Sequence, residues 1–384
     1  MNITLISTST IPSQKANSIQ VMMACQGLAE LGHNLKLLVP GGEIPPFDSL
    51  RSSYGLHCEP FNIEAIPCNP RLKRLDFAIR TVRRAKQNRA DLVYTWTIQA
   101  AVFASLAGFP VVYEMHDLPS GRFGKRWFGA FVQRKKPKRV AFITKALMER
   151  VLQQFPALST SDCVIAPNGF SVQDYQDLPD VASAKRAMGF DAGLLASCSG
   201  HLYRGRGVEL FLALAEAMPE ISFCWFGGDP SEVERRTAEV AARGLENVRF
   251  TGFIEKSKLP LAQAASDILL MPYGREIAGS SGGNSAAICS PMKLFEYLAA
   301  GRPIISSDLP VFHEVLDESS AIFCEPDKLE DWVAALRRLQ NDPQTAAEFS
   351  AAARERSAGF SWVERQRKIM KGMAEETYAK NKND

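Results

Sequence analysis

Short apolar runs alternate with longer amphipathic stretches along almost the whole chain. In the first half, apolar runs at Asn2–Ser7, Asn34–Val39, Asp91–Thr95, Pro110–Glu114, Arg139–Ile143 and Cys163–Ala166 predict strands. Helical spacing covers Ala16–Leu31, Arg71–Asn88, Ala100–Ala107 and Lys145–Gln154. The second half repeats the theme. Strands are expected at Leu194–Ser199, Ser222–Phe226, Arg249–Thr251, Asp267–Met271, Pro303–Ser306 and Ala321–Cys324. Helices are expected at Val208–Ala217, Glu232–Ala242, Lys258–Ala264, Pro291–Ala300 and Leu329–Gln340. Strands alternating with helices imply βα units and parallel sheets.

The repetition breaks at the turn dipeptide Asn168-Gly169, which a polar stretch, SVQDYQDLPDVAS, follows. The class is therefore α/β, with two doubly wound, Rossmann-like domains at 1–170 and 190–355. A last helix, Trp362–Ala379, follows the second domain, and this 361–379 segment is expected to pack back on the first. Two such domains facing each other make a cleft, and open α/β sheets bind ligands beyond the carboxyl ends of their strands.

Composition narrows the class. The chain has 384 residues, 46% hydrophobic and 23% charged, without repeats or low-complexity tracts. Its eight cysteines form no CxxC pair, and several sit in apolar runs such as LLASCSG and ISFCWFGG. Reduced core thiols are expected, not a disulfide framework or a structural zinc site. The N-terminus, MNITLIS, lacks a basic leader, and no run reaches the ~20 apolar residues of a membrane span. A cytoplasmic protein is expected. Residues 1–170 hold 21 Lys and Arg against 11 Asp and Glu, whereas the remainder holds 24 against 31. The two halves should therefore meet different partners.

Candidate chemistry lies at predicted strand ends. In Ser290-Pro291-Met292-Lys293-Leu294-Phe295-Glu296-Tyr297, Ser at the cap and Pro at the first position mark a helix start. Its free amides and positive dipole end suit a diphosphate. Lys293 opposes the macrodipole, which makes sense if an anion binds there. Glu296 lies about a turn further in, placed to accept from ribose hydroxyls. A plainly capped surface helix is the alternative. Upstream, Tyr273-Gly274 and the Gly/Ser-rich run Ala278–Ser285 let backbone approach a ligand, or form a loop without contacts. Ser199-Gly200-His201-Leu202-Tyr203-Arg204-Gly205-Arg206-Gly207 suits an anion-binding loop, but is neither a Walker A loop nor GxGxxG. Neither half carries a nicotinamide-dinucleotide fingerprint, which disfavours a dehydrogenase.

The order GHLYRGRGVELFLALAE, NVRFTGFI, SDILLMPY and SPMKLFEYLAAGRPIISSDLP resembles the donor domain of retaining GT-B glycosyltransferases of the group 1 (family 4) type. The first half agrees, in ANSIQVMMACQGLAELGHNLKLL, PVVYEMHDLP, RVAFITKALMERV and VIAPNGF. The resemblance implies the GT-B fold and a nucleoside-diphosphate sugar as substrate, with no cofactor. By position it puts Arg206 in place of the lysine that contacts the donor diphosphate, with Gly200 and His201 earlier in the same loop also on the donor. Met292 to Leu294 would meet the phosphates, Glu296 the ribose, and Phe253 and Ile254 the base. His116 matches a histidine near the donor sugar. The chain departs from the family pattern at Ile288, where the first glutamate of E-x7-E falls, and at His201, where the family has arginine.

The reaction implied is hexosyl transfer to a hydroxyl acceptor, in cell-surface polysaccharide or glycolipid synthesis. The first domain would bind the acceptor and supply His116, and the second would bind the donor. No acidic pair of the DxD kind ends a strand, so metal independence is expected. Two rivals remain: a GT-B-like sugar-nucleotide epimerase, and a silent sugar-nucleotide-binding subunit of a glycan assembly complex, which Ile288 and His201 favour. Gly121–Arg139, GRFGKRWFGAFVQRKKPKR, is basic and aromatic, and Arg71–Arg89 adds eight more cations. These suit the anionic inner face of a membrane and a glycan or lipid-linked acceptor, or else a solvated face with its aromatics in the core. No nucleic-acid module is present.

Overall fold

The computed structural model describes residues 1–69, 72, 74–277 and 284–373. It divides into two compact units, Met1–Asn168 together with the chain from Trp362, and Gly169–Ser361.

The first unit runs β1 (Asn2–Ile6), α1 (Ala16–Glu30), β2 (Asn34–Pro40), α2 (Phe47–Tyr54), β3 (Asn62–Ile66), α3 (Leu75–Gln87), β4 (Leu92–Thr95), α4 (Ile98–Leu106), β5 (Val111–Met115), α5 (Gly121–Val132), β6 (Lys138–Phe142), α6 (Lys145–Gln154) and β7 (Cys163–Ile165). The seven strands pair in parallel in the order β3-β2-β1-β4-β5-β6-β7. β1 is central, with Ile3 opposite both Leu35 and Leu92. Ile3, Leu5 and Ile6 are buried, as expected where helices cover both faces of a parallel sheet.

The second unit runs α7 (Val181–Met188), β8 (Leu195–Ser199), α8 (Val208–Ala217), β9 (Ser222–Phe226), α9 (Pro230–Ala242), β10 (Val248–Phe250), α10 (Leu259–Ala264), β11 (Ile268–Met271), α11 (Met292–Ala300), β12 (Ile304–Ser307), β13 (Ile322–Cys324), α12 (Leu329–Asn341) and α13 (Pro343–Ser357). Its six parallel strands lie in the order β10-β9-β8-β11-β12-β13. One core gathers Phe211, Trp225 and Trp332, and another Phe295, Tyr297 and Phe312. In both sheets the strand order reverses once, beside β1 and beside β8. That reversal is where doubly wound sheets hold ligands.

α14 (Trp362–Met370) belongs to the first unit and lies along α1. Residues 374–379 of the helix expected there lie outside the described residues. Gly27 makes the close approach possible, because a Cβ there would come 2.5 Å from the Trp362 carbonyl oxygen. We expect Gly27→Ala to lower stability by about 1–3 kcal/mol, despite alanine's better helix propensity. An unchanged melting temperature would contradict this packing.

Several elements carry weak patterns and were not expected: α2, β3, α7 and α13. β3 is a sheet edge, and most of its residues are only half-buried. α7 begins within the end of the polar stretch that follows Asn168-Gly169 and runs beyond it. Asp180 caps it, accepting from Ser183 N at 2.8 Å, and Gly189 ends it at φ 70°.

Candidate functional site

The loop after β8 is shaped by glycine. Gly200, Gly205 and Gly207 have φ of 117°, 82° and 87°, where other residues are strained. A Cβ on Gly207 would overlap the Pro272 carbonyl, and one on Gly205 the Glu276 carbonyl. The loop can therefore lie against the segment that leaves β11, and Gly274 N donates to Gly205 O at 3.0 Å. Gly207→Ala should cost about 2 kcal/mol or more, from backbone strain plus displacement of this contact, read as a lowered denaturation midpoint. Wild-type stability in that variant would show that the loop is free to move.

This contact places Arg206 over Tyr273. Its Nη1 donates to Tyr273 Oη at 2.6 Å, and the guanidinium carbon lies 4.8 Å from the ring centroid. Lys293 reaches the same ring from α11, its Nζ 4.9 Å from the centroid. The lysine is buried, and donates to Ser199 O at 2.8 Å and to Cys198 Sγ at 3.1 Å. Two cations thus share one tyrosine beyond the carboxyl ends of β8 and β11. Among the described residues, neither is ion-paired with a carboxylate.

α11 begins one residue later than its sequence suggests. Pro291 holds the cap position with an extended ψ of 130°, so Ser290 is not the cap and Lys293 is the second helical residue. The amides of Met292 and Lys293 have no carbonyl of their own helix to donate to, whereas Leu294 N donates to Pro291 O at 3.2 Å. Met292, Lys293 and Leu294 therefore bring an electropositive helix end to the two cations. Glu296 lies buried on the next turn. It accepts from Lys256 Nζ on one oxygen and from Gln263 Nε2 at 3.4 Å on the other. Gln263 in turn accepts from Tyr175 Oη at 2.8 Å, and Tyr297 Oη accepts from Ser199 N at 2.7 Å. Arg206, Lys293 and Glu296 thus fall into one cluster, with Met292 and Leu294 on the first turn of α11 and Gly200 in the loop after β8. Lys256, Gln263 and Tyr273 complete it, although the sequence gives none of them a partner.

The remaining predicted residues divide. Phe253 is exposed and free to stack on a planar group. Ile254 packs instead against Leu195, Cys224, Phe226 and Ala262. His201 stacks on Tyr203, centroids 4.8 Å apart and planes within 4°. Burial lowers its pKa, and its buried Nδ1 has no partner. The ring is therefore neutral near pH 7 and does not supply the charge of the family's arginine. Ile288 is buried, so an ionised side chain in its place would be desolvated. Residues 278–283 of the Gly/Ser-rich run lie outside the described residues. Asn284 ties down the run's far end, accepting from Ile277 N at 3.0 Å and Ala286 N at 2.9 Å.

In the first unit, His116 follows β5 directly. Its Nε2 lies 2.7 Å from Glu114 Oε1, and about a third of its side chain is exposed (34%). Glu114 is buried on β5 and ion-paired with Arg365 of α14 at 2.6 Å.

Comparison with known proteins assigns both units. Residues 18–178 match the family model described as Glycosyltransferase Family 4, and residues 195–342 that described as Glycosyl transferases group 1. The chain is 25% identical over 357 residues to a phosphatidyl-myo-inositol mannosyltransferase of Mycolicibacterium smegmatis, covering 89% of this chain and 85% of that one. It is 31% identical over 133 residues to a putative teichuronic acid biosynthesis glycosyltransferase of Bacillus subtilis, covering 34% and 31% of the two chains. Among solved structures, Anabaena Alr3699/HepE in complex with UDP superposes with a TM-score of 0.73 at 18% identity, over 98% of this chain and 100% of that one. The same protein in complex with UDP-glucose gives 0.72 at 18% identity, over the same shares. The chain belongs to the glycosyltransferases of the group 1, family 4 type, and its two Rossmann-like units are those of the GT-B fold.

Proposed function

We propose that the second unit binds a nucleoside-diphosphate sugar, and that the enzyme transfers its hexosyl group to a hydroxyl acceptor in glycolipid or cell-surface polysaccharide synthesis. The observation that carries this reading is the pair Arg206 and Lys293, sharing Tyr273 beside the α11 N-terminus without a carboxylate partner. A buried cation such as Lys293 is ordinarily paired, and Arg206 beside it is half-buried. A diphosphate is the partner that matches two cations and a helix N-terminus together. Relatives support the assignment: one is named for mannosyl transfer to a phosphatidyl-inositol, and another was solved with UDP and UDP-glucose.

In this reading Arg206, Lys293 and the first amides of α11 stabilise the charge that builds on the leaving diphosphate. Glu296, oriented by Lys256, accepts from the ribose hydroxyls, and Phe253 stacks on the base. The first unit binds the acceptor and contributes His116. Residues 1–170 and 190–355 are the two functional domains. The fixed cations do the work a divalent ion does in other transferases, so turnover is metal-independent, and the family relation favours retention. Initial rates should be equal in excess chelator and in millimolar Mg²⁺ or Mn²⁺. A tenfold or greater loss with chelator, restored by metal, would contradict this.

The basic face of the first unit fits a peripheral membrane contact. α3 exposes Leu75, Ile79, Arg80, Arg83 and Lys86, and α5 exposes Arg122, Phe123, Lys125 and Arg126. A surface cavity lined by Leu75, Phe123, Arg126 and Trp127 joins the two helices. Phe128 and Phe131 go to the core, whereas Phe123 remains 49% exposed. Arg71 and Lys73 lie outside the described residues. Among those described, no helix is long and apolar enough to cross a membrane. At about 1 kcal/mol per cation, a few lysines and arginines suffice to hold the protein on anionic lipid. The protein should sediment with phosphatidylglycerol vesicles and not with phosphatidylcholine vesicles, and Phe123→Glu with Arg126→Glu should abolish this. Equal binding to both vesicles would refute it.

A silent nucleotide-binding subunit is the second reading, favoured by buried Ile288 and neutral His201. It predicts weak nucleotide binding or none, and no turnover.

A further inference from the structure

Glu114 has more partners than its place beside His116 requires. On Oε1 it accepts from Gln20 Nε2 and from Arg365 Nη2 at 2.6 Å, and it meets His116 Nε2 at 2.7 Å. On Oε2 it accepts from Tyr94 Oη and from Arg365 Nη1 at 3.2 Å. The residue is 1% exposed. An ionised carboxylate offers about four lone-pair directions, so these donors saturate it. Glu114 therefore has no face left for a substrate and is not a catalytic carboxylate.

Its effect falls on the imidazole. An ionised carboxylate only accepts, so the ring nitrogen facing it must carry a proton. We infer that Glu114, clamped by Arg365 of α14, is a positioning residue that holds His116 in its Nε2–H form and leaves Nδ1 as the atom that meets the reacting sugar or acceptor. Among the described residues, Nδ1 has no hydrogen-bond partner, and the ring keeps a third of its surface open (34%). Neutral His116 accepts through Nδ1, and protonated His116 donates through it, with the Nε2 contact the same in both states.

The clamp is assembled from distant parts of the chain. Arg365 Nε donates to Pro167 O at 2.8 Å, and its guanidinium lies 5.4 Å from the Trp362 ring centroid. Arg365 is itself fully enclosed, and bidentate pairing with Glu114 offsets the cost of burying both charges. α14 thus gives the first unit a role in tuning the histidine, beyond covering α1.

The inference rests on the proposal that His116 takes part in transfer, and the two are tested separately. The tautomer is read on the wild-type protein labelled with ¹⁵N-histidine, using long-range ¹⁵N–¹H correlation, with His116→Gln to assign the signal. The Nε2–H form is expected at pH values where the ring is neutral. An Nδ1–H form, or rapid averaging of the two, would overturn the inference. His116→Gln places an amide donor where Nε2 sits and removes Nδ1. It should keep wild-type stability and donor affinity while losing turnover as fully as His116→Ala, on the order of 100-fold. Wild-type turnover in His116→Gln alone would show that Nε2 is the working atom. Wild-type turnover in His116→Ala would instead remove the histidine from the reaction, whatever its tautomer. The double variant Glu114→Gln, Arg365→Met avoids a lone buried charge. It should lower kcat and shift its pH profile while leaving donor affinity unchanged, whereas a merely structural role would leave the profile in place.

Discussion

Arg206→Ala should lower turnover by roughly 10²–10³-fold, as removal of one preorganised charge-stabilising donor does elsewhere. Affinity for the nucleoside diphosphate should fall as well, because the guanidinium meets the diphosphate in the ground state too. The loss in kcat should exceed the loss in affinity, since charge on the leaving group grows toward the transition state. Arg206 is held between its loop and Tyr273; burial works against its charge, but its surroundings, Tyr273 foremost, outweigh this and raise its pKa. Arg206→Lys, the residue usual in the family, should recover most of the activity. Wild-type kcat in Arg206→Ala, with the fold intact by circular dichroism, would remove this residue from the site. Glu296→Ala should act differently. It removes acceptors of ribose hydroxyls and costs about 1.5–3 kcal/mol of nucleotide affinity, roughly 10- to 150-fold. Lys256 would also lose its partner.

The second large effect is on stability. Arg365→Ala leaves Glu114 buried without its cation and should cost about 3–5 kcal/mol, comparable with the margin of many domains. The pH dependence fixes the cause. In the wild type, Arg365 first and His116 second pull the Glu114 carboxyl below its ordinary range, against the opposing effect of burial. Stability from this lowering is present above about pH 4, where the unfolded carboxylate is ionised, and is lost as pH falls toward the folded value. Without Arg365, burial dominates and raises the carboxyl instead. The sign then reverses: folding gains from a protonated Glu114 at low pH and loses that gain as pH rises. The deficit of Arg365→Ala relative to wild type should therefore be larger at pH 8 than at pH 4, measured by denaturant unfolding. A deficit independent of pH would mean that lost packing against Trp362, and not the charge, explains the variant.

Much of this architecture is legible because parallel strands buried on both faces read as continuous apolar runs. β1, β8 and β11 stand out from the amphipathic stretches around them. β3 and α2 do not, because an edge strand and a two-turn helix bury too few residues to impose a period. The proposed donor site is partly legible for a different reason. Arg206, Lys293 and Glu296 are charged residues beside glycines or at a helix start, where local pattern alone makes them conspicuous. Their partners are not local: Lys256 lies 40 residues before Glu296 along the chain, and Tyr273 67 residues after Arg206. The Glu114–Arg365 pair spans 251 residues, and no spacing rule connects them. Nothing local marks Glu114 as an anchor, and only its burial among donors shows it as one.

Arg206, Lys293 and the α11 N-terminus are proposed to form a nucleoside-diphosphate site. Calorimetric titration of the wild type and of Arg206→Ala and Glu296→Ala with UDP, GDP and ADP, and with their hexose conjugates, without metal, tests it most directly. Micromolar binding of one nucleotide to the wild type is expected, weakened at least tenfold in each variant. Failure of every nucleotide to bind the folded wild type, or equal binding by all three proteins, would contradict it.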